Sequence, residues 1–124
     1  YNDELESLAA DLMIVQKKYQ EVLPKLFNLE NKAKGEKLEY TWYRIGSVYL
    51  KLEEYDRAAF YFEKLLGNVK GKYYTRGGYL MGVCLEYLKQ PEVALKFYRQ
   101  IVDSGWKDEW VENSRNRISL LTEE

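Results

Sequence analysis

The sequence predicts an all-α solenoid of two to three antiparallel helical hairpins, with a 36-residue period and a C-terminal capping helix. Three observations lead there. Residues of several types recur 36 positions apart: Gly46 and Gly82, Ala58 and Ala94, Leu52 and Leu88, Phe62 and Tyr98, Lys34-Gly35 and Lys70-Gly71. A fixed period of roughly 20 to 50 residues marks a stack of supersecondary units. Within a unit, apolar residues fall at helical intervals on both sides of a polar turn. The chain of 124 residues, 46% hydrophobic and 31% charged, is large enough for one compact domain with a modest core.

The elements follow in order within one domain over residues 1–124. Residues 1–38 admit two readings. Shifting the period back places Ala10 at the glycine position, Tyr19 opposite Tyr55, Val22 opposite Ala58 and Leu26 opposite Phe62, which gives a degenerate first hairpin. Pro24 disfavours helical geometry at Leu23, which gives instead one long helix to about Val22 and a short one from Pro24 to Lys34. Residues 39–74 form a clear unit: Ile45, Val48, Tyr49 and Leu52 on one helix, the turn Glu53-Glu54, then Ala58, Phe62, Leu65 and Leu66 on a second. Residues 75–106 repeat it, with Thr75 as the expected N-cap and Pro91 in a first helical turn after Leu88-Lys89-Gln90. Ser104-Gly105 closes that unit. Over residues 107–124, Asp108 is placed to cap a last helix with Trp110, Val111, Ile118 and Leu121 on one side and Glu112, Asn113, Arg115 and Asn116 on the other. One apolar and one solvated face suit the end of a stack.

Composition narrows function. Net charge is −1, from 19 basic and 20 acidic residues, which supplies no field to gather nucleic acid or an anionic membrane. The apolar runs fall well short of the roughly 20 residues that cross a bilayer, and no secretory leader opens the chain, so a soluble chain is expected. It begins at Tyr1, which leaves room for a signal peptide, an anchor or a further domain ahead of it, and leaves the compartment open between envelope and cytoplasm. Cys84 is the one cysteine and histidine is absent. Neither an intrachain disulfide, a cysteine-rich metal site nor a histidine-assisted nucleophile can be built, so no metal, cofactor or catalysis is expected.

The segment Trp42-x2-Ile45-Gly46-x2-Tyr49, followed by Ala58-x3-Phe62, resembles the tetratricopeptide repeat. The next unit is similar but looser: Gly78 replaces the tryptophan, Met81-Gly82 and Leu85 follow, and Ala94-x3-Tyr98 completes it. Both units lack the closing proline, and the period is 36, against about 34 in the family. The long period and the short last helix also resemble bacterial envelope proteins of the Tol-Pal coordinator and outer-membrane assembly lipoprotein type.

The resemblance implies a protein-interaction module, with small residues where the helices of a hairpin approach (Gly46 with Ala58, Gly82 with Ala94) and a concave groove lined by first helices. Carried over, the groove positions are Tyr40, Tyr43, Arg44, Ser47, Leu50 and Lys51, then Arg76, Tyr79, Leu80, Val83, Glu86 and Tyr87. Tyrosine and arginine are common binding anchors, so the expected ligand is an apolar or aromatic peptide or helix of a protein partner. Its side chains would insert between Tyr43, Leu50, Tyr79 and Val83, with Arg44 and Arg76 orienting it. Family members that clamp a terminal carboxylate use lysine and asparagine where this chain has Tyr43, Ser47, Tyr79 and Val83, so that mode is not expected.

The plainer reading is that these aromatics pack against the N-terminal segment. By the same weighing, Gly77-Gly78-x3-Gly82 is packing and not a phosphate loop, Cys84 is an unreactive packing thiol, Glu53-Glu54 is a solvated turn, and Tyr73-Tyr74 packs between repeats. A structural alternative is homo-oligomerisation through the N-terminal segment, whose Ala9, Leu12, Met13, Val15 and Tyr19 supply apolar surface.

Overall fold

Three non-glycine residues spaced 36 apart, Lys17, Glu53 and Lys89, adopt left-handed backbone with φ of 61°, 61° and 62°. Each lies in the tight turn of a helical hairpin. The computed structural model describes residues 3–123. Among them are seven helices: α1 (Asp3–Val15), α2 (Tyr19–Lys32), α3 (Glu36–Lys51), α4 (Tyr55–Leu65), α5 (Tyr74–Tyr87), α6 (Pro91–Val102) and α7 (Glu109–Thr122).

The three turns share one hydrogen-bond pattern. The Glu54 N–H donates to the Tyr49 carbonyl at 2.9 Å and the Glu53 N–H to the Leu50 carbonyl at 3.0 Å. Lys18 to Met13 and Lys17 to Ile14 repeat this between α1 and α2, and Gln90 to Leu85 and Lys89 to Glu86 between α5 and α6. This is a Schellman cap, which satisfies the last carbonyls of the first helix and reverses the chain within three residues. Residues 3–32 therefore turn as the later hairpins do, and α1 stops at Val15 without continuing to Val22.

Pro24 does not interrupt the second helix of that hairpin: it lies exposed inside α2. Within α2 only the turn beginning at Tyr19 precedes it, and the carbonyl robbed of its partner is that of Gln20, an exposed residue whose backbone water can serve. Pro91 stands at the start of α6, where its missing N–H costs nothing.

Consecutive helices pack on one another along the whole chain, and α7 also reaches α5. The main core runs through α1 to α6, with Ala10, Val22, Leu26, Ile45, Ala58, Phe62, Ala94 and Tyr98 fully buried. A smaller cluster of Tyr74, Ile101 and Val111 joins α5, α6 and α7. Helix α7 buries Val111 and packs Ile118 and Leu121 on the main core, while Glu112, Arg115 and Asn116 face solvent.

One local expectation is sharpened and one corrected. The space in front of Gly46 is filled by the ring of Phe62, on the same helix as the fully buried Ala58: a β-carbon on Gly46 would stand 2.6 Å from that ring. Gly82 stands in the same relation to Tyr98, at 2.4 Å. Thr75 does not cap α5, which begins one residue earlier at Tyr74. Buried in the first turn, Thr75 donates its hydroxyl to Asp108 Oδ2 at 2.6 Å. The other oxygen of Asp108 accepts the Val111 N–H at 3.0 Å and caps α7. One carboxylate thus ties the start of α5 to the start of α7.

Candidate functional site

Helical spacing sets Tyr79, Val83, Glu86 and Tyr87 along one face of α5. With Lys89 from the following turn and Arg117 from α7 they line an open cleft of about 440 Å³. Its charged centre is built from three helices. The Tyr98 hydroxyl on α6 donates to Glu86 Oε2 at 2.5 Å, Arg117 Nε donates to the same oxygen at 3.0 Å, and Arg117 Nη2 donates to Glu86 Oε1. Burial alone would push the Glu86 carboxyl up, but the hydrogen bonds from Arg117 and Tyr98, with the Arg117 charge, outweigh it and hold the group below its ordinary value. The Tyr98 hydroxyl is raised, first by burial and then by its bond to Glu86. The Arg117 guanidinium is raised by its hydrogen bonds to Glu86.

Aromatic walls flank this pair. Tyr79 lies 5.8 Å from the ring of Tyr98 and 5.7 Å from that of Trp110. Tyr87 is exposed and stacks face to face on Tyr55, with centroids 4.4 Å apart. The cleft offers stacking surface and apolar contact next to a neutralised ion pair, with Lys89 also in its lining. Such a surface can hold an apolar or aromatic side chain and an adjacent acidic group.

The groove residues of the earlier unit go elsewhere. Arg44 is 4% exposed, and its Nη1 donates to Asp11 Oδ1 at 2.9 Å and to the Ser7 carbonyl at 3.0 Å, with Nη2 3.3 Å from the Thr41 hydroxyl. Its Nε has no hydrogen-bond partner among the described residues, and the guanidinium carbon lies 4.2 Å from the centroid of the Tyr40 ring, whose negative face offsets part of that cost. Arg44 therefore fastens α1 to α3 and is not available to orient a partner. A buried guanidinium needs paired oxygens, and α1 supplies them.

Tyr40 is likewise committed, donating its hydroxyl to Asp11 Oδ1 at 2.9 Å; burial first, and then that bond, push it up to about 12. Tyr40 and Arg44 line a separate cleft of about 370 Å³ formed by α1, the end of α2 and α3. Tyr43 stacks on the buried Tyr73 at 5.7 Å, and Arg76 lies over the rings of Tyr43, Tyr73 and Trp110 at 5.3, 5.3 and 5.4 Å. Leu50 and Leu80 are half-buried against the core, Ser47 is half-buried, and Lys51 is exposed.

The structure thus gathers Tyr79, Val83, Glu86 and Tyr87 round one cleft, and sets Tyr43 and Arg76 in an aromatic row beside it. Three contributors escaped the sequence reading: Arg117, Lys89 and Tyr55. Carrying the period once more, from Gly46 and Gly82 to position 118, would have aligned α7 with the first helices of the repeats and brought Arg117 into view. The remaining sequence readings concern packing. Gly77 and Gly78 let Leu65 and Ile101 approach α5, and Cys84 is fully buried, its thiol pushed up to about 12 by burial.

A stack of helical hairpins whose lined surface comes from the first helices of successive units defines an α-helical repeat protein. Residues 40–67 match one family model described as tetratricopeptide repeat, and residues 78–104 match another. The matches fall on the α3–α4 and α5–α6 hairpins, and the chain is a tetratricopeptide-repeat protein. No curated protein matches the chain significantly. Tetratricopeptide repeats generally mediate protein–protein interaction and scaffolding, without catalysis. No helix among the described residues is long and apolar enough to cross a membrane.

Proposed function

We propose that the chain works as a single non-catalytic adaptor, with α1 and α2 as a degenerate first repeat, and that it captures a peptide or helical segment of a partner protein in the cleft between α5 and α7. The observation that carries this is the stripe of Tyr79, Val83, Glu86 and Tyr87 facing one open cleft that Lys89 and Arg117 also line. An apolar or aromatic anchor of the partner packs against Val83 and Tyr87, and an acidic neighbour meets Lys89. The Glu86–Arg117 pair gives the cleft polar groups that reject a misplaced anchor more than it adds affinity. With balanced charge and no basic stripe, the surface does not select nucleic acid.

Selection of peptides on the immobilised chain, followed by fluorescence anisotropy, tests the assignment. Tyr87→Ala and Val83→Ser should each weaken a selected peptide by roughly tenfold, the scale of an interface anchor, while the helical circular dichroism stays unchanged. Peptides whose affinity ignores both substitutions would place binding elsewhere.

A further inference from the structure

Arg44 on α3 reaches across to α1 and takes Asp11, and Arg117 on α7 reaches across to α5 and takes Glu86. Between them, on α5, Arg76 meets rings instead: Tyr43 on α3 at 5.3 Å, Tyr73 just ahead of α5 at 5.3 Å and Trp110 on α7 at 5.4 Å. Among the described residues it makes no hydrogen bond and no ion pair. A ring face attracts the positive charge but offers no lone pair, so the five N–H donors of this guanidinium are left without a protein acceptor. The carboxylates of the helices around it are engaged elsewhere: Glu36 by Lys72, Glu39 by Asn68, Glu86 by Arg117, Glu112 by Arg115, and Asp108 by Thr75 and the Val111 N–H. Glu109, in the first turn of α7, is exposed and makes no ion pair with Arg76.

We infer that Arg76 receives an aspartate or glutamate side chain of the captured segment. The inference rests on the adaptor reading and adds a requirement on the partner's chemistry. Arg76 stands seven residues before Val83 on α5, two helical turns, which sets it on the face that lines the cleft and about 10 Å along it from the anchor. Tyr79 of the cleft touches the same Trp110 ring that holds Arg76, so the cleft and the guanidinium share a wall. The rings also fix the long side chain before a ligand arrives. Tyr73 is buried and itself stacks on Tyr40 and Tyr43, at 5.8 and 5.7 Å. A side chain already ordered loses little freedom on binding. Half-buried among aromatics, its donors form a charge-assisted, two-point bond with a carboxylate in place of water. Arg44 and Arg117 show that choice made within the fold, and at Arg76 the second partner is left for the ligand to bring.

The probe is a peptide selected on the immobilised whole chain, made with an amidated C-terminus and read by fluorescence anisotropy. One acidic residue of it should be critical: changing that residue to its amide should weaken binding by roughly tenfold, the scale of a lost hydrogen bond to a charged group. Arg76→Gln should weaken the parent peptide equally and leave the amide form where it was, a coupling that a loss of packing does not produce. Arg76→Lys should recover only part, because an ammonium lacks the two-point fork. The change on the peptide leaves the chain itself untouched, and the helical circular dichroism of both variants should match the parent. A peptide that responds to Tyr87→Ala and Val83→Ser but carries no acidic residue coupled to Arg76 overturns this inference and leaves the adaptor reading standing. So does a peptide that needs a free C-terminal carboxylate in place of an acidic side chain. Indifference to Tyr87→Ala and Val83→Ser removes the adaptor reading, and this inference with it.

Discussion

The ring of Phe62 occupies the space in which a β-carbon on Gly46 would stand, 2.6 Å from the nearest ring carbon. Tyr98 does the same over Gly82 at 2.4 Å. In the first hairpin the corresponding residues are Ala10 and Leu26, both fully buried. Where the ring is replaced by a branched aliphatic, the small partner carries its methyl. Alanine at Gly46 should improve helix propensity by about 1 kcal/mol, yet the ring cannot retreat from a packed core, and overpacking costs about 1 to 3 kcal/mol. Gly46→Ala should therefore be neutral to destabilising in urea unfolding. Combining it with Phe62→Leu, which copies the first hairpin, should lose less than the sum of the two single changes.

Asp108 holds two elements with one carboxylate, accepting from Thr75 at 2.6 Å and from the Val111 N–H at 3.0 Å. Asp108→Ala removes an N-cap, worth about 1 kcal/mol, and strands the buried Thr75 hydroxyl, worth about 1 to 3 kcal/mol. A loss of about 2 kcal/mol or more in urea unfolding is expected on those two counts. Adding Thr75→Val should recover the hydroxyl share and leave the cap share.

Stability should fall at both ends of the pH scale, for opposite reasons. The Glu86 carboxyl is held below its ordinary 4.5 in the folded chain, so its contribution is present above that value and is lost as pH falls through the folded one. Glu86→Gln should flatten the acid limb of the urea midpoint. Tyr40 is raised from 10.0 to about 12, so its proton is held more tightly by the folded chain, and stability declines as pH rises between those values. Tyr40→Phe should flatten that alkaline limb, measured on the same urea curves.

The left-handed turn residue Lys17 costs backbone strain that glycine would not. Lys17→Gly should raise stability by up to about 1 kcal/mol, part of the relief being offset by the looser unfolded chain. Thermal melting followed by circular dichroism would show it, and Lys89→Gly should behave alike because its turn carries the same hydrogen bonds.

Much of the fold was legible because a 36-residue period is a statement about which residues share a face. The hairpins at Glu53 and Lys89, Pro91 at a helix start and Asp108 at a cap all depend on neighbours within a few residues. The first hairpin was harder, since Pro24 is a local signal against a helix and only packing of Val22, Leu23, Leu26 and Leu29 overrides it. The site was half legible. The resemblance to the repeat family put Tyr79, Val83, Glu86 and Tyr87 among the groove positions, and they do line one cleft. It could not show that Arg44, on the matching face of α3, would be taken by Asp11.

The sequence by itself determined the helices, their turns and the faces they bury, because propensity and periodicity act over one or two turns of chain. Only the tertiary structure decided which polar groups are spent inside the fold and which remain for a partner. Arg44 meets Asp11 33 positions away, Glu86 meets Arg117 31 away, and Thr75 meets Asp108 33 away. Each pair joins two units of the stack, and a buried or half-buried charge takes whichever partner the stacking brings within reach, a distance that no local pattern encodes.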